Sequence, residues 1–412
     1  MSTLSEHTGN GNPPATHLQP KDTKEQIDSV LQHFDVLPSS FDRFLFKYIY
    51  VYLLGLFVPA ELLSIISLLA TNTQIEGVLL RGVGFGVPPL VAIILGIWRF
   101  NVWRVRPPKT LRDLIEKKRI ALPDGDVGPS YLRFLAHYRD ALASPNRYVL
   151  SSLLMIIIGS SFAYQIVQTL SRERPNNLVM ISVVGNLLYV SLFVGGMYCI
   201  GILTWAISIS GWYVRKLVRT FQFSIQPFHP DQCGGLKLLG DYCFGLLSPL
   251  LVVSGIFTGY SLFALLEYSS VSSGNENGYL VLNVYTPLLF VLLFALPTIV
   301  LVFILPLRAI HRKMMSEGKT NENSYFMRTE ALREEIQALL AVKQVEAAKA
   351  VQEEKALVET LYCPYPTWPF HVRAKISKTV FEVSVSLLVG VFAAAVVQYF
   401  FPAILALLFH TP

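Results

Sequence analysis

Apolar and polar residues follow one another along this chain in long blocks rather than in short alternation. Seven stretches are nearly free of charge: Phe46–Ala70, Gly77–Phe100, Tyr148–Leu170, Ser182–Trp212, Cys243–Glu267, Val281–Leu307 and Thr379–Phe409. A helix needs about 20 mainly apolar residues to cross the hydrocarbon core of a bilayer. The runs are continuous, unlike the short alternating segments of a membrane barrel. The expected fold class is therefore all-α, a polytopic membrane protein of about seven transmembrane helices. The fourth run is long enough to tilt or to project beyond the bilayer, and Pro402 could end the seventh early.

The segments between these runs carry helical periodicity of a different kind. Residues 1–22 are polar and expected to be disordered. In 23–45, Ile27, Val30, Leu31 and Phe34 recur at helical spacing, which predicts a short amphipathic helix on the cytoplasmic side. The 101–147 connection predicts two more, Thr110–Ile120 and Ser130–Ala143, parted by Pro123-Asp124-Gly125-Asp126. Tyr131, Phe134, Leu135, Tyr138 and Leu142 share one face of the second. From Ser324 to about Leu361, within the 308–378 domain, there is neither Gly nor Pro, which predicts a long helix. Its heptads break at Glu354, so a continuous coiled coil is not specified. A straight helix of that length would reach roughly 55 Å, yet the chain must return to the membrane. It lies along the bilayer, folds as a hairpin or is brought back by its linkers, and each option makes a helical layer beneath the membrane.

Composition agrees: hydrophobic residues make up 52% and charged ones only 15% of the 412 residues, too apolar for an ordinary soluble domain. The charges set orientation. Residues 101–147 hold ten Lys/Arg against five acids, 214–242 four against two, and 308–378 twelve against nine. Residues 71–76 and 269–279 have no Lys or Arg, and 171–177 only Arg172 and Arg174. By the positive-inside rule the N-terminus lies in the cytoplasm and the C-terminus outside the plasma (inner) membrane. No secretory signal pattern opens the chain. Cys199, Cys233, Cys243 and Cys363 show no paired spacing, so reduced thiols are expected.

The most distinctive local sequence is Phe228-His229-Pro230-Asp231-Gln232-Cys233-Gly234-Gly235-Leu236-Lys237, in the 213–242 connection. Pro230 keeps His229 extended, and Asp231 is placed to cap the helix leading into the fifth span. Three readings are open. The segment is a tightly packed elbow; or His229, Asp231, Cys233 and Cys243 hold a metal, although no standard spacing supports one; or helix-start amides with Gly234, Gly235 and Lys237 bind an anion.

This segment resembles a motif of the form HPDxxGGL in uncharacterised bacterial polytopic membrane proteins, and Tyr365-Pro366-Thr367-Trp368-Pro369-Phe370 resembles their second recurring motif. A looser similarity in general plan is to channel-like effectors of bacterial antiviral defence, such as the membrane subunit of Hailong-type systems. That resemblance implies a cytoplasmic domain answering a nucleotide-derived signal.

Inside the spans, Glu61 stands two residues after Pro59, with Ser64 about one turn on. An intramembrane carboxylate is costly and marks a functional site by default; the other reading ends the span near Pro59 and puts Glu61 at the outer interface. Gln165 and Asn186 could line a polar path or bond a neighbouring helix. No Walker A loop, zinc-protease helix, hydrolase elbow or Rossmann fingerprint is present, so no cofactor, metal or enzymatic activity is expected. The function expected is an oligomeric ion channel gated by its cytoplasmic domain. Its partners would be the lipid bilayer, further copies of itself and a soluble anionic ligand, nucleotide or oligonucleotide, at the basic face. The alternatives are a secondary transporter using Glu61 and a membrane-surface enzyme using His229 and Asp231.

Overall fold

The computed structural model describes residues 20–71, 75–117, 119–121, 127–156, 160, 177–226, 229–271, 291–362, 366–369 and 372–395. In chain order they form α1 (Pro20–Gln32), α2 (Ser40–Thr71), α3 (Ile75–Trp103), α4 (Arg106–Glu116), β1 (Ile120–Ala121) and α5 (Val127–Ala143). There follow α6 (Asn177–Thr220), β2 (Gln222–Phe223), α7 (Lys237–Val271), α8 (Val291–Ala341), α9 (Val345–Leu361) and α10 (Val372–Ala395). Residues 146–156 are also helical. The strands, two residues each, pair antiparallel with Ile120 opposite Phe223. Among the described residues the other regular elements are all helices.

Among the described residues five helices are long and apolar enough to cross a membrane: Ser40–Leu63, Val183–Thr220, Lys237–Phe263, Val291–Ala341 and Lys375–Ala393. They coincide with the first, fourth, fifth, sixth and seventh apolar runs. The second run lies in α3, which is continuous through Pro88 and Pro89; its first side chains lie outside the described residues. So does most of the third run.

Burial separates central from peripheral helices. The apolar windows of α6 and α7 are 61% and 72% buried, whereas that of α10 is 11% buried. α2 and α3 pack on α6, while α3 and α10 pack on α7. The α7–α10 crossing is built from small residues. A side-chain carbon added to Gly259 would stand on the Leu387 carbonyl oxygen, and one added to Gly390 on that of Ile256; one at Gly255 would meet Ser386 Cβ at 2.6 Å. Gly255-xxx-Gly259 therefore faces Ser386-xxx-Gly390. In lipid no hydrophobic effect draws helices together, so such close backbone approach is what holds them.

α8 runs for 51 residues, about 75 Å at 1.5 Å per residue. That is far more than the ~30 Å hydrocarbon core requires. Its membrane part is widened by π-turns at Val291–Ala295 and Val300–Ile304. Each stands just ahead of a proline, Pro297 or Pro306. A proline ring presses on the carbonyl four residues back and removes one hydrogen bond, and a wider turn accommodates both effects.

Of the options open to 324–361, the hairpin is the one observed, with a helix ending at Ala341 and a second over Val345–Leu361. α8 ends in a Schellman turn: Lys343 N–H donates to Leu340 O (3.1 Å) and Gln344 N–H to Leu339 O (3.0 Å), with Lys343 at φ +60°. α9 then folds back on α8 as a hairpin. Tyr325 stacks on Tyr362 at 4.1 Å, Arg328 Nη2 meets Glu354 Oε1 at 2.5 Å, and Leu332 and Ala348 are buried. Glu354, the residue that interrupts the heptads, is thus the hairpin's ionic partner.

Of the remaining helices, α1 packs on α4 and α5, α5 on α6, and α4 on α7. Tyr131, Phe134, Leu135, Tyr138 and Leu142 of α5 are all buried, as their common face predicts. Tyr138 stacks on Tyr213 of α6 (4.8 Å) and tilts against Phe34 behind α1 (5.1 Å); its hydroxyl donates to Ser210 Oγ at 2.6 Å. Asp42 at the start of α2 is fully buried, 3.4 Å from Arg147 Nη2. That guanidinium also donates to Leu142 O and Tyr148 Oη. The pair explains why α2 begins at Ser40, ahead of the apolar run.

Candidate functional site

The elbow between β2 and α7 brings four separate parts of the chain to one place. After β2 the loop doubles back, with Gln226 N–H donating to Gly234 O (3.1 Å) and Gln232 N–H to His229 O (2.9 Å). Gln232, Gly234 and Gly235 take φ of +53°, +66° and +84°, the left-handed region that glycine enters without penalty. This curl turns successive amides inward, and Asp231 fills it. Its Oδ1 accepts from Cys233 N–H (2.9 Å) and Gly235 N–H (3.0 Å), and Oδ2 from Lys237 N–H (3.4 Å). The start of α7 is therefore capped by Asp231.

His229 Nδ1 lies 2.7 Å from Asp231 Oδ1. That contact requires Nδ1 to carry the hydrogen, so the 3.3 Å approach of the Asp231 amide to the same nitrogen is not a hydrogen bond in this tautomer. Burial works to raise the Asp231 carboxyl, but the amides of Cys233 and Gly235, the His229 ring and the Lys237 amide outweigh it and hold it below its ordinary value. Burial pushes the Cys233 thiol up to about 11, and the Asp231 charge adds to this. The thiol is thus protonated at neutral pH and a poor nucleophile.

Two further groups close the elbow. A side-chain carbon at Gly234 would lie 2.6 Å from Ile225 Cγ2 and 3.2 Å from Pro366 Cγ; one at Gly235 would lie 2.7 Å from the Arg119 guanidinium carbon. Pro366 belongs to the strap between α9 and α10, so the strap lies against the elbow at Gly234. The strap is also pinned to α8: His311 Nδ1 donates to Thr367 O at 2.7 Å, and its ring stacks on Trp368 at 4.2 Å. Arg119, just before β1, is 7% exposed, and its Nε and Nη1 have no hydrogen-bond partner among the described residues. A buried cation with unused donors is expensive and attracts an acceptor.

No protein family, curated protein or solved structure matches this chain.

The expected site residues divide accordingly. His229, Asp231, Gly234, Gly235 and Lys237 come together, and the helix-start amides that could have received an external anion already serve Asp231. Among the described residues no cluster of three or more His, Cys, Asp or Glu could hold a metal. Glu61 is buried on α2, facing Tyr189 of α6. The side chains of Ser64 and Asn186, and all of Gln165, lie outside the described residues. Arg119 was not legible as a site residue. It ends the run Lys117-Lys118-Arg119, which reads as a solvated basic face, and only the β1–β2 pairing turns its third member inward.

Proposed function

We propose that the chain is the subunit of an oligomeric membrane channel of seven spans, gated through its cytoplasmic layer. The observation that carries this reading is the mechanical continuity of α8. One helix runs from the membrane segment to the tip of the hairpin, and the returning leg reaches α10 through a strap that touches the elbow at Gly234 and α8 at His311. Motion of the hairpin is thereby coupled to two spans, α8 and α10, whose windows are only 28% and 11% buried. Spans held by so little buried surface move at low cost.

Two features support the finer points. Phe326, Met327, Leu357 and Leu361 of the hairpin are exposed, as an apolar contact with further copies of the chain would require. The unused donors of Arg119 beside the elbow suit an anionic signal of nucleotide type. A cytoplasmic N-terminus and an outer C-terminus in a bacterial inner membrane rest on the alternation of basic and Lys/Arg-poor connections. A role in antiviral defence rests on the resemblance of general plan alone.

The full chain in a planar bilayer is the test. Unitary currents should appear, and Gly234→Val, which crowds Ile225 and Pro366 and strains the left-handed turn where strap and elbow meet, should change their open probability without changing conductance. An electrically silent protein that instead supports saturable solute uptake into liposomes, lost in Glu61→Gln, would replace the channel with a transporter.

A further inference from the structure

A cavity of about 260 Å³ opens between the ends of α3, α7 and α10, one turn and more beyond the elbow and sharing no residue with it. Four cations line it: Arg99 and Arg106 from either side of the α3–α4 turn, and Lys375 and Lys378 from the first turns of α10. Lys375 is paired with Asp241. Arg99, Arg106 and Lys378 have no acidic partner within ion-pair distance among the described residues, although Glu382 also lines the cavity. With Asp241 and Glu382 counted against the four cations, the wall keeps an excess of two positive charges.

Uncharged donors point the same way. Trp103 is 2% exposed and lines the cavity, and among the described residues its indole Nε1 has no hydrogen-bond partner; neither has the buried Ser248 hydroxyl on the facing turn of α7. Gly245, one turn before Ser248, leaves the indole room: an added side-chain carbon there would stand 3.0 Å from Trp103 Cδ1. An indole N–H can only donate, so the missing group is an acceptor. Beside these residues Trp98, Val102, Ile376 and Phe381 are exposed, an apolar margin of the kind that faces acyl chains.

We propose that this cavity binds a phosphate-bearing anion, its oxygens received by Arg99, Arg106, Lys378 and the Trp103 indole. The apolar margin, together with the membrane reading on which this inference rests, gives one source as the phosphodiester headgroup of an anionic lipid of the cytoplasmic leaflet. Basic pockets between spans on that side hold such headgroups. A soluble phosphate compound offers the same chemistry from the cytosol.

Native mass spectrometry of the full chain in mild detergent separates the sources, using phosphatidylglycerol, phosphatidylethanolamine, inorganic phosphate and ATP as probes. Retained phosphatidylglycerol in preference to phosphatidylethanolamine assigns the site to a lipid; retained phosphate or ATP without that preference assigns it to a soluble ligand. Either should weaken by about a hundredfold in R99A/R106A/K378A, at roughly a fivefold loss per cation near the surface. Should that variant not elute as a folded protein, the pair Lys378→Gln and Trp103→Phe provides the same comparison with smaller losses. Equal binding by wild type and variants, equal retention of the two lipids with no phosphate or ATP bound, or no binding of any probe would overturn the proposal. None of these outcomes depends on the protein conducting ions.

Discussion

Replacing Asp231 by alanine removes one acceptor from three backbone amides and from the His229 ring. The bonds to Cys233 and Gly235, at 2.9 and 3.0 Å, are charge-assisted and worth about 1.5–3 kcal/mol each. The Lys237 contact at 3.4 Å adds little. The Asp231 side chain is 14% exposed, so water replaces part of what is lost, and a local destabilisation of about 3 kcal/mol is expected. Asparagine keeps an oxygen for the two short bonds and gives up the charge, which should cost about 1 kcal/mol. Hydrogen exchange of the purified protein reads this directly. At tenfold per 1.4 kcal/mol, protection over Cys233–Lys237 should fall by about a hundredfold in the alanine variant and by about fivefold in the asparagine variant. The pH dependence follows. The Asp231 carboxyl is held below its ordinary value, so its contribution is full above the unfolded pKa of about 3.9 and is lost as pH falls through the lower folded value. Unchanged protection in Asp231→Ala at neutral pH would refute the capped elbow.

Three further outcomes test the rest of the architecture. Gly259→Leu places a side chain on the Leu387 carbonyl and should detach α10 from α7, seen as loss of an engineered disulfide between facing positions of the two helices; unaltered cross-linking would contradict the crossing. Arg147→Met leaves Asp42 buried without its cation and should destabilise the protein by about 3–5 kcal/mol, while the double change Asp42→Leu/Arg147→Met recovers most of it; melting in detergent measures both, and a double variant as unstable as the single would argue against the pair. Lys343→Gly removes a left-handed non-glycine residue from the hairpin turn and should stabilise it by about 1 kcal/mol, read as slower exchange in α9; faster exchange would place strain elsewhere.

Much of the architecture was legible because it rests on local signals. The apolar runs predict the helices that can span a membrane, and the buried face of α5 follows from residues three and four apart. The cap at Asp231 is local too, since the acceptor and its amides lie within seven residues. What escaped is what tertiary pairing decides. No glycine or proline marks the break between α8 and α9, and Lys343 enters the left-handed region because the hairpin's contacts at Arg328, Glu354, Tyr325 and Tyr362 require the turn. The contact of Gly234 with Pro366 joins motifs that neighbour one another only in space. Arg119 reads as an ordinary basic residue and Trp103 as an ordinary aromatic beside a membrane, for their burial depends on helices brought in from far along the chain, as does the gathering of Arg99 and Arg106 with Lys375 and Lys378 around one cavity.

The proposed channel requires that α1, α4, α5, the elbow and the α8–α9 hairpin lie together on one side of the bilayer. Single cysteines at Arg139, Gln337 and Asn275, in a background with Cys363→Ser, can be probed with a membrane-impermeant maleimide in sealed vesicles of known orientation. Arg139 and Gln337 should react together from the cytoplasmic face, and Asn275 from the opposite face. Reaction of Arg139 and Gln337 from different sides would contradict the account.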